Sequence, residues 1–190
     1  MAIQTARRPS AQGFTLVETM VVVAIMALLA AMAVPTFQDA VDRYRSAAVY
    51  DDLRATFVFA RSEAIRRRVG VVVQRRPGAA CATVQEWQCG WTVFADIDAD
   101  NIQNPDGVSE PDIRRTDAMT GGTVVNMFKA AQTRVNFDRW GNITPLGAFR
   151  MSVVPRGDIN SAGVKTMCAS AGGRFRSVEG DVTNVACSNQ

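Results

Sequence analysis

The feature that most constrains this chain is an apolar run of 21 residues, Phe14 to Val34, carrying one charge, Glu18. Coiled as a helix it measures about 31 Å, enough to cross the roughly 30 Å hydrocarbon core of a bilayer. The run therefore predicts an N-terminal membrane tether, with the rest of the chain folding outside lipid. A carboxylate inside a spanning helix costs roughly 2.5 to 3.5 kcal/mol at the centre and less near an end, and is usually kept for a partner. Two plainer readings compete. A secretory signal would also show Arg7 and Arg8 before the apolar stretch and a small-residue site such as Ala31-Met32-Ala33. A simple anchor would let Glu18 snorkel to the interface. Neither accounts for the Gly13-Phe14 junction together with Glu18.

Gly13-Phe14-Thr15-Leu16-Val17-Glu18 followed by an apolar helix to about Pro35 resembles the type III signal of type IV pilins and type II secretion pseudopilins. The resemblance implies cleavage after Gly13 by a prepilin peptidase, N-methylation of Phe14, and pairing of Glu18 with the Phe14 amine of a neighbouring subunit. The chemistry is coherent: the cut creates a cation, the helix supplies an anion one turn away, and the two neutralise each other between chains in an apolar filament core.

Basic residues ahead of the span sit at Arg7 and Arg8, so the positive-inside rule puts the N-terminus in the cytoplasm and everything after Pro35 outside, in a bacterium the periplasm. The expected organisation is a leader over 1–13, a transmembrane helix over 14–34, its amphipathic continuation over 35–69 and a periplasmic β-rich head over 70–190. The inner membrane holds the chain until it enters a filament.

An oxidising compartment makes disulfides of the four cysteines. Of three connectivities, Cys81 with Cys89 and Cys168 with Cys187 are favoured, because each closes a short loop worth about 2.5 to 3.5 kcal/mol by chain entropy. Zinc is the rival, but the spacing lacks C-x-x-C and the sequence contains no histidine. That lack also removes Ser-His-Asp, Cys-His and imidazole-metal chemistry. No catalytic constellation, metal site or cofactor is expected, and an anchored periplasmic hydrolase ranks last among the functions considered.

The net charge of +3 is unevenly spread. Residues 39–76 carry nine basic and five acidic groups, 77–113 none and seven, and 114–190 ten and five. Of 21 basic residues only Lys129 and Lys165 are lysines. Arginine favours planar, bidentate contact with carboxylate or phosphate, although coding bias produces the same enrichment.

Phe14 to about Arg68 reads as one long helix, with a possible kink at Pro35. Phe37, Val41, Tyr44 and Ala48, then Val49, Leu53, Phe57, Ala60 and Ala64, keep a three-to-four spacing and are expected to bury against a sheet. Asp39, Asp42, Arg43, Arg45, Asp51, Arg54, Arg61 and Glu63 mark the exposed face. Arg66, Arg67 and Arg68 suit the negative end of the helix dipole, and Gly70 is expected to stop it. Short β-rich runs follow: Val71–Gln74, Trp91–Phe94, Thr123–Phe128, Arg134–Phe137, Phe149–Val154, Val164–Ala169 and Phe175–Val178. The fold class is α+β with antiparallel sheet.

Gly90-Trp91-Thr92-Val93-Phe94-Ala95-Asp96 resembles the Gly-Trp-x-Val-Phe-x-Asp signature of the FimT/GspH group, and Val135 to Gly141 its later Phe-x-x-x-Gly strand and turn. The resemblance implies a pilin-like long helix packed on two small antiparallel β-sheets. Asp96-x-Asp98-x-Asp100 begins like a calcium loop. It departs at Asn101, where the turn glycine belongs, and at Gly107, where the bidentate glutamate belongs, so a hairpin loop rich in turn formers is the better account.

Gly172-Gly173-Arg174-Phe175-Arg176 lies between Cys168 and Cys187. In a strand, Arg174 and Arg176 share one face about 6.6 Å apart while Phe175 points to the other. The spacing approximates two phosphate steps of a DNA strand, at roughly 3.4 Å each. Gly173-Arg174-Phe175-Arg176 is similar to the Gly-Arg-x-Arg motif of FimT-type minor pilins, whose arginines bind DNA during natural transformation. Lys165 and Arg156, with Arg150 and Arg139, are candidates to widen the patch. Glu179 and Asp181 weaken the local field, and two phosphate contacts alone bind weakly and without sequence preference. The resulting expectation is a minor pilin that joins a type IV pilus and binds DNA backbone for uptake. The alternative is a GspH-like pseudopilin of a type II secretion system, a structural subunit without DNA binding. Expected partners are other subunits of the filament, the prepilin peptidase, DNA and the inner membrane.

Overall fold

A computed structural model describes residues 13–79, 81–106, 108–128, 132–161, 163–179 and 187, with backbone alone over 33–36. Residues 1–12 of the expected leader, Gly107, Lys129 and Asp181 lie outside the described residues, as does the side chain of Pro35.

Helix α1 spans Leu16–Arg67 and contributes to two compact units, one ending at Gln38 and one beginning at Asp39. In the first unit its apolar side chains are exposed, and this stretch near the N-terminus is long and apolar enough to cross a membrane. Thr15 caps the start: its Oγ1 accepts the Glu18 amide at 3.2 Å.

The second unit carries the remaining elements. Strands β1 (Gly70–Arg75), β2 (Trp91–Asp96), β3 (Asp112–Thr116) and β5 (Arg134–Phe137) form one antiparallel sheet in the order β3-β2-β1-β5. Strands β4 (Val124–Met127), β6 (Phe149–Val154), β7 (Lys165–Ala169) and β8 (Phe175–Glu179) form the other in the order β4-β6-β7-β8. A 3₁₀ turn, Pro155–Gly157, follows β6.

Both sheets bury their inner faces against one stripe of α1. Leu53, Phe57, Ala60 and Ala64, spaced three or four apart as expected, are fully buried. Phe57 is the hub. Its ring lies 6.5 Å from that of Trp87, 6.3 Å from Phe137 on β5, 5.6 Å from Phe149 on β6 and 5.7 Å from Phe175 on β8. One helical side chain thus touches both sheets, and truncating it to alanine would cost about 3 to 5 kcal/mol. Trp91 of β2 adds a buried polar tie, its Nε1 donating to Thr56 Oγ1 at 3.1 Å.

Four expectations are corrected. Upstream of Tyr50 the inward stripe is Asp42, Ser46 and Tyr50, whereas Tyr44, Ala48 and Phe37 are exposed. The polar partners decide this: Arg156 of the 3₁₀ turn pairs with Asp42 at 3.0 Å, and Lys165 of β7 lies 5.8 Å from the Tyr50 ring. Glu63, assigned to the exposed face, is buried and grips Arg66 and Arg67. These hydrogen bonds, Arg66 first, hold its carboxyl down at about 2. The helix stops because Arg68 turns left-handed at φ 60°, not at Gly70, which opens β1. Finally, Asp112–Thr116 is a strand although four of its five side chains are polar or charged. Asp52 of α1 recruits it, accepting Arg114 at 2.8 Å and Thr116 Oγ1 at 3.2 Å.

Candidate functional site

The tail motif sits at the β7–β8 turn. Ser170 organises that turn: its carbonyl accepts the Gly173 amide at 2.9 Å, its Oγ accepts the Arg174 amide at 3.2 Å, and its own amide donates to the Arg174 carbonyl at 2.9 Å. Gly173 is buried at φ 71°, and a Cβ there would lie 2.4 Å from the Gly141 carbonyl oxygen and 2.7 Å from Arg61 Nε. Any side chain would break this crossing of three segments. The glycine of the motif is therefore a packing requirement that sets where the next residues emerge.

Phe175 packs its ring on Phe57 and points inward, as the alternation predicts. Arg174 and Arg176 are exposed. Arg176 stands opposite Cys168 of β7, which stands opposite Arg150 of β6, so the three form one row across the sheet. Cys168 is disulfide-bonded to Cys187 with Cα atoms 5.5 Å apart, which ties the tail to that row; Cys81 is bonded to Cys89. The Arg150 guanidinium lies 4.5 Å from the Phe128 ring centre.

The other proposed members of the patch are elsewhere. Lys165 is three residues from Cys168, hence on the opposite face of β7, turned towards Tyr50 and paired in register with Glu179. Arg156 is committed to Asp42. Arg139 lies over the Trp140 ring at 5.4 Å. Among the described residues Arg66, Arg67, Arg76, Arg114, Arg115 and Arg156 each hold a carboxylate, while Arg174 and Arg176 hold none.

Two helical arginines that the sequence assigned to a solvated face border the tail. Arg54 and Arg61 share with Arg174 a cleft of about 360 Å³, floored by Val58, Ile65 and Phe175. Arg61 Nε donates to the Gly141 carbonyl at 3.1 Å. That carbonyl is presented by the Asp138–Gly141 turn, where Asp138 Oδ1 accepts the Trp140 and Asn142 amides at 2.8 and 2.9 Å. Partial burial alone would raise the Asp138 carboxyl, but the donors from Asn142, Trp140 and Gly141 outweigh it and hold the group below its ordinary value. The available signal was the seven-residue interval from Arg54 to Arg61, which puts both on one helix face.

The acidic loop after β2 is built differently. Carboxylate oxygens of Asp96, Asp98 and Glu110 lie within 4.8 Å of one another, a group that can hold a metal ion. Yet fully buried Glu110 already accepts the Ile97 and Asn104 amides, one on each oxygen, at 2.7 and 3.0 Å, and Asp96 accepts the Asn101 amide at 3.2 Å. Burial, opposed by that amide and assisted by the field of Glu110, raises the Asp96 carboxyl above its ordinary value. The arrangement is that of a hairpin loop held by its own acids.

At the processing end, a Cβ placed on Gly13 would meet nothing within 4 Å, so packing does not demand glycine there. Glu18 is exposed at the third position of the helix. Thr15-x-x-Glu18 has the spacing of a capping box, a local role the charge argument overlooked.

The family described as type II transport protein GspH matches residues 50–181. The chain belongs to the GspH family. A prokaryotic N-terminal methylation motif matches residues 8–34 of this GspH-family chain. Its fold is similar to that of the type IV minor pilin FimU of Pseudomonas aeruginosa, at 19% identity and a TM-score of 0.55 over 70% of this chain and 88% of FimU. It also overlays on the minor pseudopilin EpsH of the Vibrio cholerae type 2 secretion system, at 15% identity and a TM-score of 0.47 over 71% of this chain and 97% of EpsH. No curated protein sequence matches it. The GspH-family chain thus shares its fold with a type IV minor pilin.

Proposed function

We propose that this subunit is a minor type IV pilin that binds DNA backbone for uptake. In this reading prepilin peptidase cuts after Gly13, Phe14 is N-methylated, and residues 14–34 hold the subunit in the inner membrane with its head in the periplasm. Glu18 then neutralises the Phe14 amine of a neighbouring subunit as the filament assembles. The observation that carries the DNA reading is the pairing state of the tail. Arg174 and Arg176 are exposed and, among the described residues, without a carboxylate, on a segment fixed by Gly173, Phe175 and the Cys168–Cys187 bond. A backbone already fixed leaves only the arginine side chains to be ordered on meeting phosphate. Two such contacts bind weakly, so uptake relies on further cations or on several subunits.

The test is retention of duplex DNA by the full chain in detergent, for wild type and for Arg174→Ala with Arg176→Ala. Wild-type retention that the double variant loses is expected; equal retention by both defeats the tail assignment. The family description favours a second reading, a structural pseudopilin of a type II secretion filament. It predicts no retention by wild type and co-purification with a secretion apparatus.

A further inference from the structure

We infer that the cleft between α1 and the β7–β8 turn is part of the same phosphate-binding surface, with Arg54 and Arg61 continuing the track that Arg174 begins. This rests on the DNA-binding reading and adds to it two residues far away in sequence. The cleft of about 360 Å³ has three arginines on its walls and no acidic residue among the described residues that line it. Of the α1 acids within three residues of the lining, Asp52 is held by Arg114 and Thr116 and Glu63 by Arg66 and Arg67, while Asp51 lies one turn before Arg54. Arg54, Arg61 and Arg174 hold no carboxylate among the described residues. A rigid concavity of one sign calls for an anion from outside the molecule.

Geometry favours a repeating anion. Arg54 and Arg61 are seven residues apart on one helix face, about 10.5 Å along the axis, far enough apart to meet two separate phosphates of one strand. Val58 between them and Ile65, one turn beyond Arg61, are about half exposed, at 46% and 47%. An apolar floor between cationic walls suits a nucleic-acid strand, whose sugars cover the floor while its phosphates meet the arginines. Arg61 also positions the site. Its Nε bonds the Gly141 carbonyl and its stem packs against Gly173, so it fixes the turn from which Arg174 projects. The resulting surface runs from Arg174 at the turn to Arg61 and Arg54 on the helix.

The experiment measures duplex DNA affinity against salt for the full chain in detergent, comparing wild type with Arg54→Ala, Arg54→Lys and Val58→Glu. Losing one phosphate contact should flatten the log-log salt slope by about 0.9 and weaken binding by up to about eightfold near 0.1 M salt. Arg54→Lys should keep the slope, since an ammonium still neutralises a phosphate. Val58→Glu, at a half-exposed position that tolerates a polar side chain, should weaken binding at least as much by placing a carboxylate in the floor. If Arg54→Ala and Val58→Glu bind as wild type while the Arg174 and Arg176 variant does not, the cleft is overturned and the tail clamp stands. If they bind DNA as wild type but lose cross-linking to neighbouring filament subunits, the cleft receives a protein and the inference is equally overturned. Absence of wild-type binding defeats the DNA reading itself, and the cleft proposal with it.

Discussion

The cleft beside the tail and the loop after β2 are both strongly charged, yet they use charge in opposite ways. In the loop every described carboxylate accepts a backbone amide: Asp96 from Asn101, Asp98 from Asp100, Asp100 from Ile102, Asp106 from Val108 and Ser109, Glu110 from Ile97 and Asn104. In the cleft Arg54, Arg61 and Arg174 hold no carboxylate among the described residues, and Arg61 bonds across segments to the Gly141 carbonyl. The loop's acids are consumed in building the loop. The cleft's arginines are held in place by packing and glycine turns, which leaves their charge available. Satisfied charge is architecture, and charge held out on a rigid frame is a candidate for binding.

That contrast can be broken by substitution. The largest effect is expected at Glu110. Glu110→Ala leaves two amides at the loop base without their acceptor, which should cost about 2 to 5 kcal/mol in denaturant unfolding. The DNA salt slope of the folded fraction should stay unchanged. A change in slope would mean the loop communicates with the basic surface. Next comes Gly173→Ala, which forces a side chain into the Gly141 carbonyl and a left-handed backbone, at roughly 2 kcal/mol or more. Here both stability and DNA affinity should fall, because the same turn aims Arg174. Loss of stability with intact binding would detach the turn from the site.

Smaller is the Glu63 effect, read by acid titration of unfolding. The carboxyl is near 2 when folded against an ordinary 4.5, so the unfolded chain takes the proton first. The contribution is therefore complete above about pH 4.5 and is lost as pH falls towards 2. The stability gap between wild type and Glu63→Gln should narrow over that window, and a gap independent of pH would refute the ion-pair origin. Smallest is Arg174→Ala, an exposed residue whose side chain holds no carboxylate among the described residues, which should shift stability by less than about 0.5 kcal/mol while weakening DNA binding.

How much of this was legible in the sequence follows the same division. The apolar run, the Leu53-Phe57-Ala60-Ala64 stripe and seven of the strands announced themselves through periodicity, because water sorts side chains by face. Phe175 pointing inward between two outward arginines was readable from alternation alone. Strand β3 was not, since its pairing depends on Asp52, sixty residues earlier, and not on its own charged sequence. Asp42 and Glu63 look like surface residues until Arg156, Arg66 and Arg67 are placed beside them. The placement of the wider basic set was hidden for the matching reason: Lys165 lies towards Tyr50 and Arg156 pairs with Asp42, while Arg54 and Arg61 border the tail from the helix. Sequence pattern reports which side faces inward, but the partner of each charge is a tertiary fact.

The central claim is that position, not net charge, makes the basic surface of this head bind DNA. It is tested most directly by the salt slope of duplex binding for three forms of the full chain: wild type, Arg174→Ala with Arg176→Ala, and Arg43→Ala with Arg45→Ala, which removes equal charge from exposed helix positions. A slope flattened by about 1.8 in the tail variant and unchanged in the helix control is the predicted result. Equal slopes in all three, or equal flattening in both variants, would contradict it.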